Sequence, residues 1–151
     1  MQVGTEREDA KDDHKSLEPV RPRHVLLVED DEEMRRLVYF VLTRNGFRVT
    51  EARDGAEALE FLGSLLLSDR RGRAPDMIIT DQRMPGFCGL DVIEATRFSG
   101  IRIPAILITA FGDAETHERA CDLGTVTVLD KPFEMAQLVK LARRVVRLPV
   151  A

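Results

Sequence analysis

The sequence predicts an α/β fold in which five βα units surround a parallel sheet. Short unbroken apolar runs recur along the chain, and each is followed by a longer stretch whose apolar residues fall at helical spacing. Length sets the scale. The chain has 151 residues, 44% of them hydrophobic, enough for one core without a disulfide or structural metal and too few for two full domains.

The first strand is expected at residues 24–28, where Val25-Leu26-Leu27-Val28 leaves no polar face, as suits a parallel strand covered on both sides. Met34, Leu37, Val38, Val41 and Leu42 then mark a helix at i, i+3, i+4, i+7 and i+8, and Asn45-Gly46 stops it. Residues 48–51, with Phe47 leading in, form the second strand. Asp54 caps the next helix, with Glu57 completing a capping box and Leu59, Leu62 and Leu66 as its apolar stripe. A polar connection from Asp69 to Pro75 leads to the third strand at 77–80. Leu90 and Ile93 mark the third helix, residues 105–109 the fourth strand, Glu115 to Leu123 a weakly amphipathic fourth helix, and residues 126–129 the fifth strand. The last helix sets Leu138, Leu141, Ala142 and Val145 on one face. Opposite them Lys140, Arg143, Arg144 and Arg147 form a basic stripe, by default a solvated face and otherwise a docking site for an acidic partner or a second copy.

Residues 1–23 carry six acids and five bases but few large apolar side chains, so a flexible charged leader is expected there, with the folded domain over 24–148 and no output domain after it. The formal charge of -4 argues against direct nucleic-acid binding. No apolar run approaches the roughly 18 residues that span a bilayer and no secretory h-region opens the chain, so a cytoplasmic protein is expected. Cys88 and Cys121 lack CxxC spacing and read as buried or half-buried free thiols.

Chemistry is expected where the strands stop, because open α/β sheets bind ligands beyond the carboxyl ends of their strands. The first strand ends in Glu29-Asp30-Asp31, the third in Asp81, the fourth in Thr109 and the fifth in Asp130-Lys131-Pro132. Two unit charges about 4 Å apart repel by roughly 4 kcal/mol at an effective dielectric near 20. Clustered carboxylates therefore call for a cation, and oxygen-only ligands with few protein donors favour Mg²⁺. One carboxylate is then placed to attack phosphorus, with Lys131 balancing charge and the Thr109 hydroxyl on a phosphoryl oxygen. Taken alone, Asp31 reads equally as a helix cap.

These residues resemble the receiver domain of two-component response regulators. The resemblance is carried by Val25-Leu-Leu-Val-Glu-Asp-Asp31, Ala52-Arg-Asp-Gly-Ala-Glu-Ala-Leu59, Asp81-Gln-Arg-Met-Pro-Gly86 with Gly89, Ile108-Thr-Ala110 and Lys131-Pro-Phe133, and covers about 124 residues from His24 to Arg147. It implies a flavodoxin-like (βα)5 doubly wound sheet of strand order 2-1-3-4-5. It further implies that Asp81 accepts a phosphoryl group from a sensor histidine kinase or phosphotransfer protein. Mg²⁺ would be held by Glu29, Asp30, Asp81 and the backbone carbonyl of Arg83, with Thr109 and Lys131 on the phosphoryl oxygens. The output would pass through the face of the fourth helix, fifth strand and fifth helix to an effector or a second receiver copy. Two departures matter. Val128 stands where many receivers carry an aromatic that moves with the threonine, and Arg83 and Phe111 are bulky at positions that govern access of water, which points to slow hydrolysis.

Other readings weigh less. A haloacid dehalogenase-type phosphohydrolase wants an Asp two residues after its nucleophile, where this chain has Arg83. A nucleotide or flavin binder would show a GxxxxGK[ST] or GxGxxG turn, and none follows a strand. A non-phosphorylated, interaction-only receiver is the strongest rival. His117-Glu118 resembles the phosphorylatable pair of histidine kinases and His117 with Cys121 half a metal site, but a lone exposed helix histidine is the simpler account.

Overall fold

The computed structural model describes residues 21–68, 74–110 and 113–147. The expected leader, apart from its last three residues, falls outside these ranges, as do Phe111 and residues 69–73 of the polar connection.

Five strands and five helices alternate: β1 (His24–Val28), α1 (Glu32–Arg44), β2 (Arg48–Ala52), α2 (Gly55–Leu67), β3 (Met77–Asp81), α3 (Gly89–Phe98), β4 (Ala105–Ala110), α4 (Ala114–Leu123), β5 (Val126–Lys131) and α5 (Met135–Val145). The strands form one parallel sheet in the order β2-β1-β3-β4-β5, as the resemblance implied. Four strands run one or two residues beyond the apolar runs, so Asp81 and Lys131 are themselves strand residues.

Alternation along each strand divides the core. Val25, Leu27, Met77, Ile79, Ile106 and Ile108 pack with Val38 and Leu42 of α1 and Leu138, Ala142 and Val145 of α5. Leu26, Val28, Ile78, Ala105 and Leu107 pack on the other face with Leu62 and Leu65 of α2, Leu90 and Ile93 of α3 and Ala120 of α4. Both faces of β1, β3 and β4 are thereby sealed, which is why these strands read as unbroken apolar runs.

The helix starts follow the expected chemistry with two corrections. Asp31 Oδ1 accepts the Met34 amide at 2.8 Å, so this acid caps α1. Asp54 accepts the Glu57 amide at 2.8 Å as expected, but the Glu57 carboxylate reaches one residue further back, to the backbone and guanidinium of Arg53, so the capping box does not close. The apolar stripe of α1 is also narrower than its spacing suggested: Leu37 is 46% exposed, and Val38 and Leu42 are the residues buried. In α2, Ala58 and Leu65 are buried alongside Leu62, while Leu59 and Leu66 are only half-buried. Asn45 ends α1 and Gly46 follows with φ of +89°, a conformation that glycine adopts without steric cost.

Glycine is required for a different reason where α3 begins. A Cβ on Gly89 would lie 2.5 Å from the carbonyl oxygen of Asp81 and 2.8 Å from Leu107 Cδ1. The bare backbone lets Gly89 N–H reach the Gln82 carbonyl at 3.1 Å, while the Gln82 side chain accepts the Leu90 amide at 2.9 Å. α3 is thus seated against the end of β3. Gly63, inside α2, has nothing within 4 Å of such a Cβ. In urea unfolding, Gly89→Ala should therefore lose about 2–4 kcal/mol, whereas Gly63→Ala should gain about 0.5–1 kcal/mol from helix propensity alone.

Candidate functional site: a carboxylate cluster at the sheet edge

The parallel register brings the carboxyl ends of β1, β3, β4 and β5 side by side, with Asp81 opposite Ile108 and Thr109 opposite Asp130. Glu29 follows β1 directly, its amide bonded to the Ala52 carbonyl of β2 at 3.1 Å. Glu29 and Asp81 are buried, at 5% and 6% exposure, and Asp30 faces solvent. Each offers a carboxylate oxygen within 4.8 Å of the others. Asp31, the fourth acid expected near this group, is spent on α1.

The loop that presents these acids is held from behind. Arg35, on the second turn of α1, donates to the Glu29 carbonyl at 2.9 Å and lies 3.7 Å from the Glu51 carboxylate of β2. The Asp31 amide approaches Glu29 Oε1 at 3.3 Å.

Lys131 enters from β5, its Nζ 3.0 Å from Asp81 Oδ1. Burial works against its charge, yet the hydrogen bond to Asp81 and the nearby charges of Asp81, Glu29 and Asp30 prevail and raise its pKa. Asp81 is raised as well: burial, together with the Asp30 charge, outweighs Lys131 and the Arg83 amide that donates to its carboxylate. Glu29 is affected most, pushed up to about 7 by burial first and by the Asp81 charge next. Both shifts express burial and the same crowding of like charges at one strand edge.

Thr109 is 2% exposed and its hydroxyl has no hydrogen-bond partner among the described residues. A buried hydroxyl in that state costs on the order of 1–3 kcal/mol, unless a ligand supplies the missing acceptor. Its place beside Asp81 at the strand ends makes a phosphoryl-type oxygen a chemically suitable acceptor.

Arg83, with Gln82, Met84, Pro85, Cys88 and Asp113, lines an open pocket of about 460 Å³ between the β3–α3 and β4–α4 loops. Cys88 is half-buried there and Cys121 on α4 is exposed, the latter against expectation. Sequence reasoning also missed a contact. His117 of α4, read as a lone histidine, has its Nε2 2.8 Å from Asp130 Oδ1 on β5. No local pattern in the sequence pairs these two residues, which lie on different elements.

Comparison with known proteins agrees with this geometry. A family model described as the response regulator receiver domain matches residues 25–143. The phosphate regulon transcriptional regulatory protein PhoB of Klebsiella pneumoniae is 33% identical over 127 residues, covering 83% of this chain and 52% of PhoB. Protein PetR of Rhodobacter capsulatus is 34% identical over 126 residues, covering 83% and 49%. The chain spans about half the length of these curated relatives. Among solved structures, the receiver domain of the Francisella response regulator 1452 superposes with a TM-score of 0.72 at 25% identity, covering 83% of this chain and 97% of that one. The Vibrio cholerae chemotaxis protein CheY4 gives 0.68 at 28%, covering 82% and 98%. Fold, strand-end residues and these matches agree, and the chain belongs to the response regulator receiver domain family.

Proposed function

We propose that the protein is the phosphoacceptor of a two-component relay, taking a phosphoryl group onto Asp81 from a histidine kinase or phosphotransfer protein. The observation that carries this reading is the pairing of a buried carboxylate, tied to Lys131 at 3.0 Å, with the buried hydroxyl of Thr109 at the next strand end, which has no hydrogen-bond partner among the described residues.

In the proposed reaction an Asp81 carboxylate oxygen attacks phosphorus. The bond from phosphorus to the donor's leaving atom, nitrogen in a phosphohistidine, breaks with its electron pair leaving on the donor, and an acyl phosphate remains on Asp81. Lys131 passes from the free carboxylate to a phosphoryl oxygen, and the Thr109 hydroxyl donates to another. Arg35 and the cap at Asp31 keep the β1–α1 loop in place while this happens.

The donor set suits a divalent cation: three carboxylates with oxygens mutually within 4.8 Å, one of them open to solvent. Glu29, Asp30 and Asp81 would hold Mg²⁺, with the Arg83 backbone carbonyl as the further ligand that family resemblance implies. When bound, the ion neutralises charge on the phosphoryl oxygens. Among the described residues no helix is long and apolar enough to cross a membrane.

Incubated with Mg²⁺ and acetyl phosphate, the wild type should gain the mass of one phosphoryl group and Asp81→Asn none, with Lys131→Ala slowed about tenfold or more. An unmodified wild type, or an equally modified Asp81→Asn, overturns the reading.

Protons and metal compete for the same carboxylates, which sets a second expectation. Glu29 titrates near 7 when folded against 4.5 ordinarily, so between those values the folded protein binds more protons than the unfolded chain and stability falls as pH rises. Asp81, shifted in the same direction, adds to the fall. In the presence of chelator, the wild-type melting temperature should decline between about pH 5 and about pH 8, by the equivalent of roughly 1–3 kcal/mol, with a shallower decline in Glu29→Gln. Mg²⁺ should restore more stability at the upper end of that range than at the lower.

A further inference from the structure

α4 commits little of its length to the core. Only Thr116 and Ala120 are buried along its ten residues, whereas α3, of equal length, buries Gly89, Leu90, Val92, Ile93 and Thr96. Polar ties must therefore carry much of its attachment. On one side Arg119 bridges to Asp91 at 3.1 Å and Glu94 at 2.6 Å, joining α4 to α3. On the other, His117 Nε2 meets Asp130 Oδ1 at 2.8 Å, joining α4 to β5.

Asp130 is unusually placed for this. It is the register partner of Thr109, so the two stand beside each other at the ends of adjacent strands. By strand alternation both belong to the sheet face that carries α4, in line with Leu107 and Val128. Its chain neighbour Lys131 belongs to the opposite face and holds Asp81. A shift of Lys131 toward a phosphoryl oxygen, or of Thr109 toward another, is thus delivered to Asp130 through one peptide bond or one cross-strand pair.

We infer that the His117–Asp130 pair is a latch that holds α4 against β5 while Asp81 is unloaded and yields when Asp81 carries a phosphoryl group, making these two residues the coupling between the site and the α4 surface. The inference rests on the phosphoacceptor reading. A contact equally good in both states would cancel from the equilibrium between them, so the latch is defined by its difference. Both side chains are partly exposed, at 42% and 34%, which limits the size of that difference.

The test is a double-mutant cycle of His117→Ala, Asp130→Ala and the double variant. It reads beryllofluoride affinity with Mg²⁺ by amide resonances near Asp81 and the resulting shifts in residues 114–123. Each single variant should bind the phosphoryl mimic about two- to fivefold more tightly than wild type, and the double variant no more tightly than the singles. Unchanged affinities, weaker binding in the variants or effects that multiply in the double variant would overturn the latch. A wild type that ignores the mimic at Asp81 would remove the phosphoacceptor reading itself. A response at Asp81 with identical affinities in all four proteins removes the latch alone.

Discussion

Three carboxylates drawn to one edge of a sheet repel one another, and much of the structure around the site answers that repulsion. Glu29 and Asp81 are buried where water screens them poorly, so their charges must be met by Lys131, by protons or by a cation. The scaffold holds the arrangement in place by close packing around it. β1 and β3 are sealed on both faces, Gly89 lets α3 press on the Asp81 carbonyl, and Arg35 grips the Glu29 carbonyl from α1. A looser framework would relax by letting the acids drift apart into solvent. The charge density at the site is therefore a property of the packing as much as of the acids themselves.

The same crowding sets what the cluster can take up. A carboxylate that is already costly to keep ionised suits a divalent cation, because the positive charge would remove a repulsion present in the free protein. The Thr109 hydroxyl, without a partner among the described residues, is a second deficit on the neighbouring strand. Each is a cost to the free protein that a ligand of matching chemistry would relieve.

Much of this was legible in the residues. Unbroken apolar runs revealed strands covered on both faces, and the chemistry-bearing residues Glu29, Asp30, Asp81, Thr109 and Lys131 all lie where those runs end, so a parallel sheet had to bring them together. Other features were not, for definite reasons. A carboxylate at Asp31 serves equally as a cap or as a cluster member, and only the loop geometry decides between them. Spacing assigned Leu37 to the buried stripe of α1, but the covered face of that helix centres on Val38 and Leu42 and leaves Leu37 at its margin. The His117–Asp130 contact joins two elements whose relative rotation no local pattern specifies.

The alternation of side chains also divides the molecule into two hemispheres. Glu29, Asp81 and Lys131 carry the strand parity of the residues beneath α1 and α5, while Thr109 and Asp130 carry that of the residues beneath α4. Between the hemispheres lies a sheet whose three central strands are buried on both faces. A visitor gripping α1 and α5 meets the side that bears the buried acids and Lys131, whereas one resting on α4 meets the side that bears Thr109 and Asp130. One small sheet thus gives a single edge two unlike sides, acids with their lysine on one and a threonine beside an aspartate on the other.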